Sequence, residues 1–205
     1  IIPNMFGNGL SSSPSNCFDC ELGEGFWFSH VDNVRAQEQL LREVFGIERL
    51  ALIYGWSMGA QQAYHWGALF GDRVDRIAAL CGTACTTDHN HIFLLSLRTA
   101  LTADPAWNGK RFEAVPERGL KAFARIYASW AVSQAFYREG IYYQLSYTSL
   151  EDYLLRGWES NYKKRDPHNL LAMIDTWLHC DISDNSTYRG DYKGALAAIS
   201  AKTLV

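Results

Sequence analysis

Apolar positions follow two different periods in the first half of the chain. Val31, Val34, Leu40, Leu41, Val44 and Phe45 recur at helical spacing, and Gly46 stands where a helix would stop. The run I-E-R-L-A-L-I-Y, residues 47–54, is rich in aliphatics and poor in charge, which predicts a short buried strand. A knot of small residues from Gly55 to Gly59 follows. Helical spacing then resumes from Ala60 to Phe70 and ends at Gly71, and Arg76 to Leu80 predicts a second strand. Helix, strand, tight turn, helix, strand is the order of a parallel sheet with crossover helices, an α/β architecture. Before it, I-I-P-N-M-F-G-N-G-L-S-S-S-P-S has the look of a strand end passing into a loop, since Gly, Ser and Pro dominate from Gly7 to Ser15.

The texture changes near His89. Residues 92–103, 119–136 and 168–178 carry long helical periodicities with no clear strand between them. They predict an all-helical insertion after a sheet strand. The last residues, A-A-I-S-A-K-T-L-V, predict a helix end and the first residues of a returning strand. The division is therefore 1–88 as part of an α/β core, 89–190 as a helical cap, and 191–205 as a return to the sheet.

Composition narrows the picture in a few places. A chain of 205 residues with 48% hydrophobic and 20% charged content can bury a sizeable core. A net charge of -3 gives no electrostatic footprint for nucleic acid. No apolar run reaches the roughly 18 residues of a membrane helix. Ile1 to Leu10 lacks the charged start of a signal peptide. These features point to a cytoplasmic protein acting on a small molecule, with no membrane partner. Five Cys are present; Cys17 and Cys20 form a lone C-x-x-C, while Cys81, Cys85 and Cys180 are scattered. The pair reads as a redox or metal motif or, more simply, as reduced thiols. D-H-N-H, residues 88–91, offers a weak metal pattern beside the plain reading of a helix start; no metal is expected. The many aromatics between Trp107 and Trp177 fit helix packing or the wall of an apolar pocket.

The candidate chemistry lies in G-W-S-M-G, residues 55–59, which matches G-x-S-x-G between an apolar strand and a helix. That context lifts a Ser oxygen above the sheet edge on a sharp turn, with small residues two before and two after it. Ser57 is then a nucleophile, and the Met58 N–H is aimed at a developing oxyanion. The other reading is a structural Ser in a Gly turn. A nucleophilic Ser needs a His and an orienting carboxylate. His65, His89, His91, His168 and His179 follow Ser57, but none comes after a sheet strand with an acid before it. The acid and the His are expected beyond Val205, and the isolated chain is expected to lack turnover.

Several ordered segments carry a resemblance. D-N-V-R-A-Q-E-Q-L-L-R-E-V-F-G-I-E-R-L, G-W-S-M-G-A-Q-Q, F-G-D-R-V-D-R-I, A-D-P-A-W-N-G, R-D-P-H-N-L-L-A-M-I-D-T-W-L and S-A-K-T-L-V are similar to successive segments of the homoserine O-acetyltransferase family within the α/β-hydrolase superfamily. The resemblance implies an α/β-hydrolase fold with an inserted helical cap, present here as a partial chain. It implies a Ser-Asp-His triad and ping-pong acyl transfer from acetyl-CoA, through acyl-Ser57, to an alcohol. It also implies a second oxyanion donor from a loop before Ile1, acetyl-CoA as a co-substrate without a tightly bound cofactor, and a homodimer formed through the cap. Two positions depart from the family. Trp56 replaces a Gly beside the nucleophile, where it would border the substrate. Arg125 matches an Arg that holds the amino-acid end of homoserine, but Val132 stands where the family has its partner Tyr. Arg125 is thus a carboxylate clamp or a cap salt bridge. Acyl transfer leads, a hydrolase of the same fold with water as acceptor is the alternative, and a non-catalytic protein that keeps the fold is a third reading.

Overall fold

The computed structural model describes residues 1–17 and 27–205. Helix α1, His30–Glu43, begins at a capping box: the Ser29 hydroxyl accepts from the Asp32 N–H, and the Asp32 carboxylate accepts from the Ser29 N–H. Its inward face carries Val31, Val34 and Leu41, while Val44 and Phe45, just past its end, are exposed. Strand β1 is shorter than the apolar run, spanning Ile53–Trp56. The residues before it are tied to other partners, with Ile47 N–H donating to the Leu41 carbonyl and Leu50 N–H to the Arg73 carbonyl. Helix α2, Met58–Leu69, is buried from Ala60 to Ala68 because it lies directly on the sheet. A Cβ on Gly67 would come within 2.7 Å of Ile77 Cδ1, which shows how closely helix and sheet approach.

Strand β2, Arg76–Leu80, and strand β3, Lys202–Leu204, complete a parallel three-stranded sheet of order β1-β2-β3. Ile53 pairs with Ile77, and Ile77 with Thr203. Residues 1–5 form no regular element, where a strand end was expected.

Between β2 and β3 the chain is helical: α3 (Asp88–Thr102), α4 (Glu117–Ala131), α5 (Gln134–Arg138), α6 (Ile141–Gln144), α7 (Leu150–Asp152), a π-helix (Tyr153–Glu159), α8 (Ser160–Tyr162), α9 (Pro167–Leu178) and α10 (Tyr192–Ala197). The periodicity over 119–136 is broken at Val132, which is extended, and Ser133 caps α5 by accepting from the Phe136 N–H. Spacing alone hid that break because apolar residues continue through it. The helices build an apolar cluster around Leu94, Leu97, Leu101, Leu120 and Phe123, separate from the cluster of α1, α2 and the sheet. Trp130 stacks on Phe93 with ring centroids 4.5 Å apart, so much of the aromatic content is helix packing. The two clusters meet at a seam, where the Thr86 hydroxyl donates to the carbonyl of Trp177, a residue packed on the helical cluster, and the Thr86 N–H donates to the Cys180 carbonyl. No helix among the described residues is long and apolar enough to cross a membrane.

Cys17 is disulfide-bonded, which corrects the expectation of reduced thiols at that position; Cys20 lies outside the described residues. Cys81, Cys85 and Cys180 are free.

Candidate active site

Ser57 stands between β1 and α2 with φ 55° and ψ -121°, a backbone conformation that non-glycine residues rarely adopt. Strand pairing holds it from one side, with its N–H donating to the Leu80 carbonyl at 2.9 Å. The new helix holds it from the other, as the Ala60 and Gln61 N–H groups donate to the Ser57 carbonyl. Strain of this kind persists only where surrounding bonds over-determine the geometry.

The small residues are not equivalent. A Cβ on Gly55 would lie 2.1 Å from the Gly59 carbonyl oxygen, so only glycine fits at position 55. A Cβ on Gly59 would meet nothing within 4 Å. The expected crowding on both sides of Ser57 is therefore confined to one side. Gly82 supplies the second tight contact: its Cβ would lie 2.6 Å from the Ser57 carbonyl oxygen and 2.6 Å from Ala60 Cβ. That glycine lies beyond the motif, in the turn after β2.

Ser57 borders a cavity of about 320 Å3, with Gln61, Cys81, Gly82, Thr83, Asn90 and Trp177 among its lining. Core and helical segment both contribute, the latter through Asn90 on α3 and Trp177 on α9. Met58 heads α2, where the first N–H groups have no intrahelical acceptor and the helix dipole favours negative charge. A carbonyl oxygen turning anionic beside Ser57 would meet that end.

Trp56 lies elsewhere. It is 60% exposed and lines a second cavity of about 630 Å3 beside β1, with Tyr54, Met5 and Gln37. Adjacency to Ser57 in sequence does not place the indole in its cavity, whose lining does not include Trp56. Arg125, on α4, is also outside the Ser57 cavity. Its Nε donates to Glu159 at 2.5 Å and its Nη2 to Glu151 at 2.5 Å. These carboxylates, Glu151 foremost, raise the guanidinium pKa above its usual value.

The histidines are engaged in packing. His65 is buried, with Nδ1 donating to the Gln61 carbonyl at 2.8 Å, and burial lowers its pKa. His89 packs edge-on against Trp130, and His91 Nε2 donates to the Leu178 carbonyl at 3.0 Å. His168 Nε2 accepts from the Phe112 N–H at 3.1 Å, and His179 stacks on Trp27. His30, on α1, is 2% exposed, and burial pushes it down to about 3. Among the described residues no His lines the Ser57 cavity. Gln61, Gly82 and Trp177 escaped the motif reading. The one sequence signal for Gln61 is a polar residue one turn after Ser57 in a helix otherwise poor in charge.

Comparison with known proteins follows the same geometry. A family model described as alpha/beta hydrolase fold matches residues 1–169. An ethyl acetate hydrolase of Pseudomonas veronii is 39% identical over 208 residues, covering 100% of this chain and 59% of that protein. The crystal structure of an acetylester hydrolase from Corynebacterium glutamicum superposes with a TM-score of 0.91 at 35% identity, over 98% of this chain and 58% of that one. A homoserine O-acetyltransferase of Methanocorpusculum labreanum is 30% identical over 225 residues, covering 100% of this chain and 45% of that protein. The chain thus spans less than two thirds of the length of these relatives.

Proposed function

The chain belongs to the alpha/beta hydrolase fold family, and from that premise we propose that it is the elbow and cap portion of a serine esterase acting on small esters. The observation that carries this reading is Ser57 itself, a non-glycine residue held at φ 55° and ψ -121° on a strand-to-helix junction beside a cavity. In the proposed reaction Ser57 Oγ attacks the ester carbonyl carbon while a base takes its proton. The oxyanion accepts from the Met58 N–H, and the alcohol leaves with the proton. Water then attacks acyl-Ser57 and releases the acid. The base and its carboxylate come from the rest of the protein in this reading.

Hydrolysis is favoured over acyl transfer by the state of Arg125. Its guanidinium is bonded to Glu151 and Glu159, so it is not free to receive a substrate carboxylate. The similarity to an ethyl acetate hydrolase and an acetylester hydrolase, at higher identity than the homoserine O-acetyltransferase, supports the same choice. Acyl transfer from acetyl-CoA remains the second reading, supported by that more distant relative.

The test uses the full-length protein. Incubation with ethyl acetate should release acetate and ethanol, with a transient acetyl adduct on Ser57 by mass spectrometry and none in Ser57→Ala. Formation of an acetylated alcohol from acetyl-CoA, with esters untouched, would reverse the choice. An adduct that persists in Ser57→Ala would remove Ser57 as nucleophile.

A further inference from the structure

Gln61 lies one helical turn beyond Ser57, and its side chain, 1% exposed, borders the Ser57 cavity. The carboxamide is held at both ends. Its Oε1 bonds to His30 Nε2 at 3.0 Å, and its Nε2 donates to Thr86 Oγ1 at 3.3 Å. The Thr86 hydroxyl in turn donates to the Trp177 carbonyl at 2.6 Å. Only one direction satisfies these contacts. Burial keeps His30 neutral, and its Nδ1 has no partner among the described residues, so its single ring proton sits on Nε2. His30 therefore donates to Gln61, Gln61 to Thr86, and Thr86 to Trp177. A buried polar relay runs from α1, beneath the elbow, to the end of α9 that carries Trp177, a wall of the cavity.

The relay crosses the seam between the two apolar clusters. Thr86 is tied there a second time, by its N–H to the Cys180 carbonyl. Apolar side chains of the same shape can hold a core equally well, whereas a directional chain of buried hydrogen bonds selects one geometry. We propose that Gln61 is a positioning residue: through Thr86 it fixes Trp177 relative to Ser57, and so sets the size of the ester group that the cavity admits. This rests on the esterase reading and deepens it.

The experiment compares kcat/KM of the full-length protein along two substrate series, one of rising acyl length and one of acetates of rising alcohol length. Thr86→Val breaks the relay at a residue outside the cavity, Gln61→Met breaks it at similar volume, and Thr86→Ser keeps the hydroxyl. Thr86→Val and Gln61→Met should each shift the long-to-short preference in one series by about tenfold, the scale on which a pocket discriminates one methylene. Thr86→Ser should keep the wild-type profile, and a fluorophosphonate should still label Ser57 in all three. An unchanged profile in Thr86→Val overturns the proposal. So does a shift in Gln61→Met alone, which marks a direct contact with substrate. Should Gln61→Met fail to fold, the two Thr86 variants decide. A wild-type protein that neither hydrolyses esters nor reacts with the fluorophosphonate sinks the esterase reading and this one together; the other outcomes sink the relay alone.

Discussion

Replacing Ser57 by glycine removes the Cβ that makes φ 55° and ψ -121° costly. A residue held in such a sparsely populated region stores about 1–3 kcal/mol, which glycine would release. Glycine also widens the unfolded ensemble, at a cost of roughly 0.5–1 kcal/mol. The difference leaves Ser57→Gly more stable than wild type by about 1 kcal/mol. Ser57→Ala keeps the Cβ and the strain, and it loses only the hydroxyl. The two variants should be equally inactive but unequally stable. For a protein of this size or larger, 1 kcal/mol corresponds to a rise of about 2–4 °C in Tm. Thermal unfolding of both full-length variants measures it directly. Ser57→Ala melting at or above Ser57→Gly would refute the claim that the elbow stores backbone strain. A gain in stability on loss of the proposed nucleophile is the trade expected of a site that holds a strained residue for its chemistry.

Three further predictions separate roles within and around the elbow. Gly55→Ala should cost several kcal/mol or prevent folding, because its Cβ would meet the Gly59 carbonyl at 2.1 Å, whereas Gly59→Ala should leave the fold intact; expression and urea midpoints of the pair check this. Gly82→Ala should lower kcat of the proposed ester hydrolysis by displacing the Ser57 carbonyl or Ala60, each 2.6 Å from the new Cβ, and wild-type kcat would show that the turn yields without moving Ser57. Acid should destabilise the protein through His30: the unfolded chain takes up a proton below the ordinary value of 6.5, while the folded His30 stays neutral down to about 3. Stability is therefore retained above pH 6.5 and falls as pH drops from there towards 3, by about 1.4 kcal/mol per pH unit once well below 6.5. Burial shifts His65 in the same direction, and Gln61 and Asp181 are the polar groups against the pair. His30→Gln should flatten the pH dependence of urea midpoints, and an unchanged slope would reject His30 as a source.

Local pattern was enough for most of the elements. Periodicity placed α1, α3, α4 and α9, because each of these helices buries a face or stripe that repeats along the chain; α2, buried all round from Ala60 to Ala68, showed as a run of mostly small and apolar residues closed by Gly71. The strand pattern held for β2 but overran β1, since Ile47 and Leu50 pack against the core while their N–H groups bond to a helix end and a turn. The π-helix at Tyr153–Glu159 left no mark in the spacing. The elbow was legible for a similar reason: a Ser between an apolar strand and a helix, with glycine at position 55, encodes its own turn.

What surrounds Ser57 was not local, and so only the tertiary structure decided it. Gly82 is needed because β2 runs beside β1 and brings its exit turn onto the Ser57 carbonyl. Trp177 reaches the cavity because the end of α9 is bonded back to the turn after β2, a contact between residues far apart in the chain. Trp56, adjacent to Ser57 in sequence, lines the other cavity and not the one beside Ser57. Arg125 became an ion-pair centre because folding set Glu151 and Glu159 beside it. By itself the sequence specified a turn and the Ser on it; the walls of the site are set by long-range packing, which no spacing along the chain records.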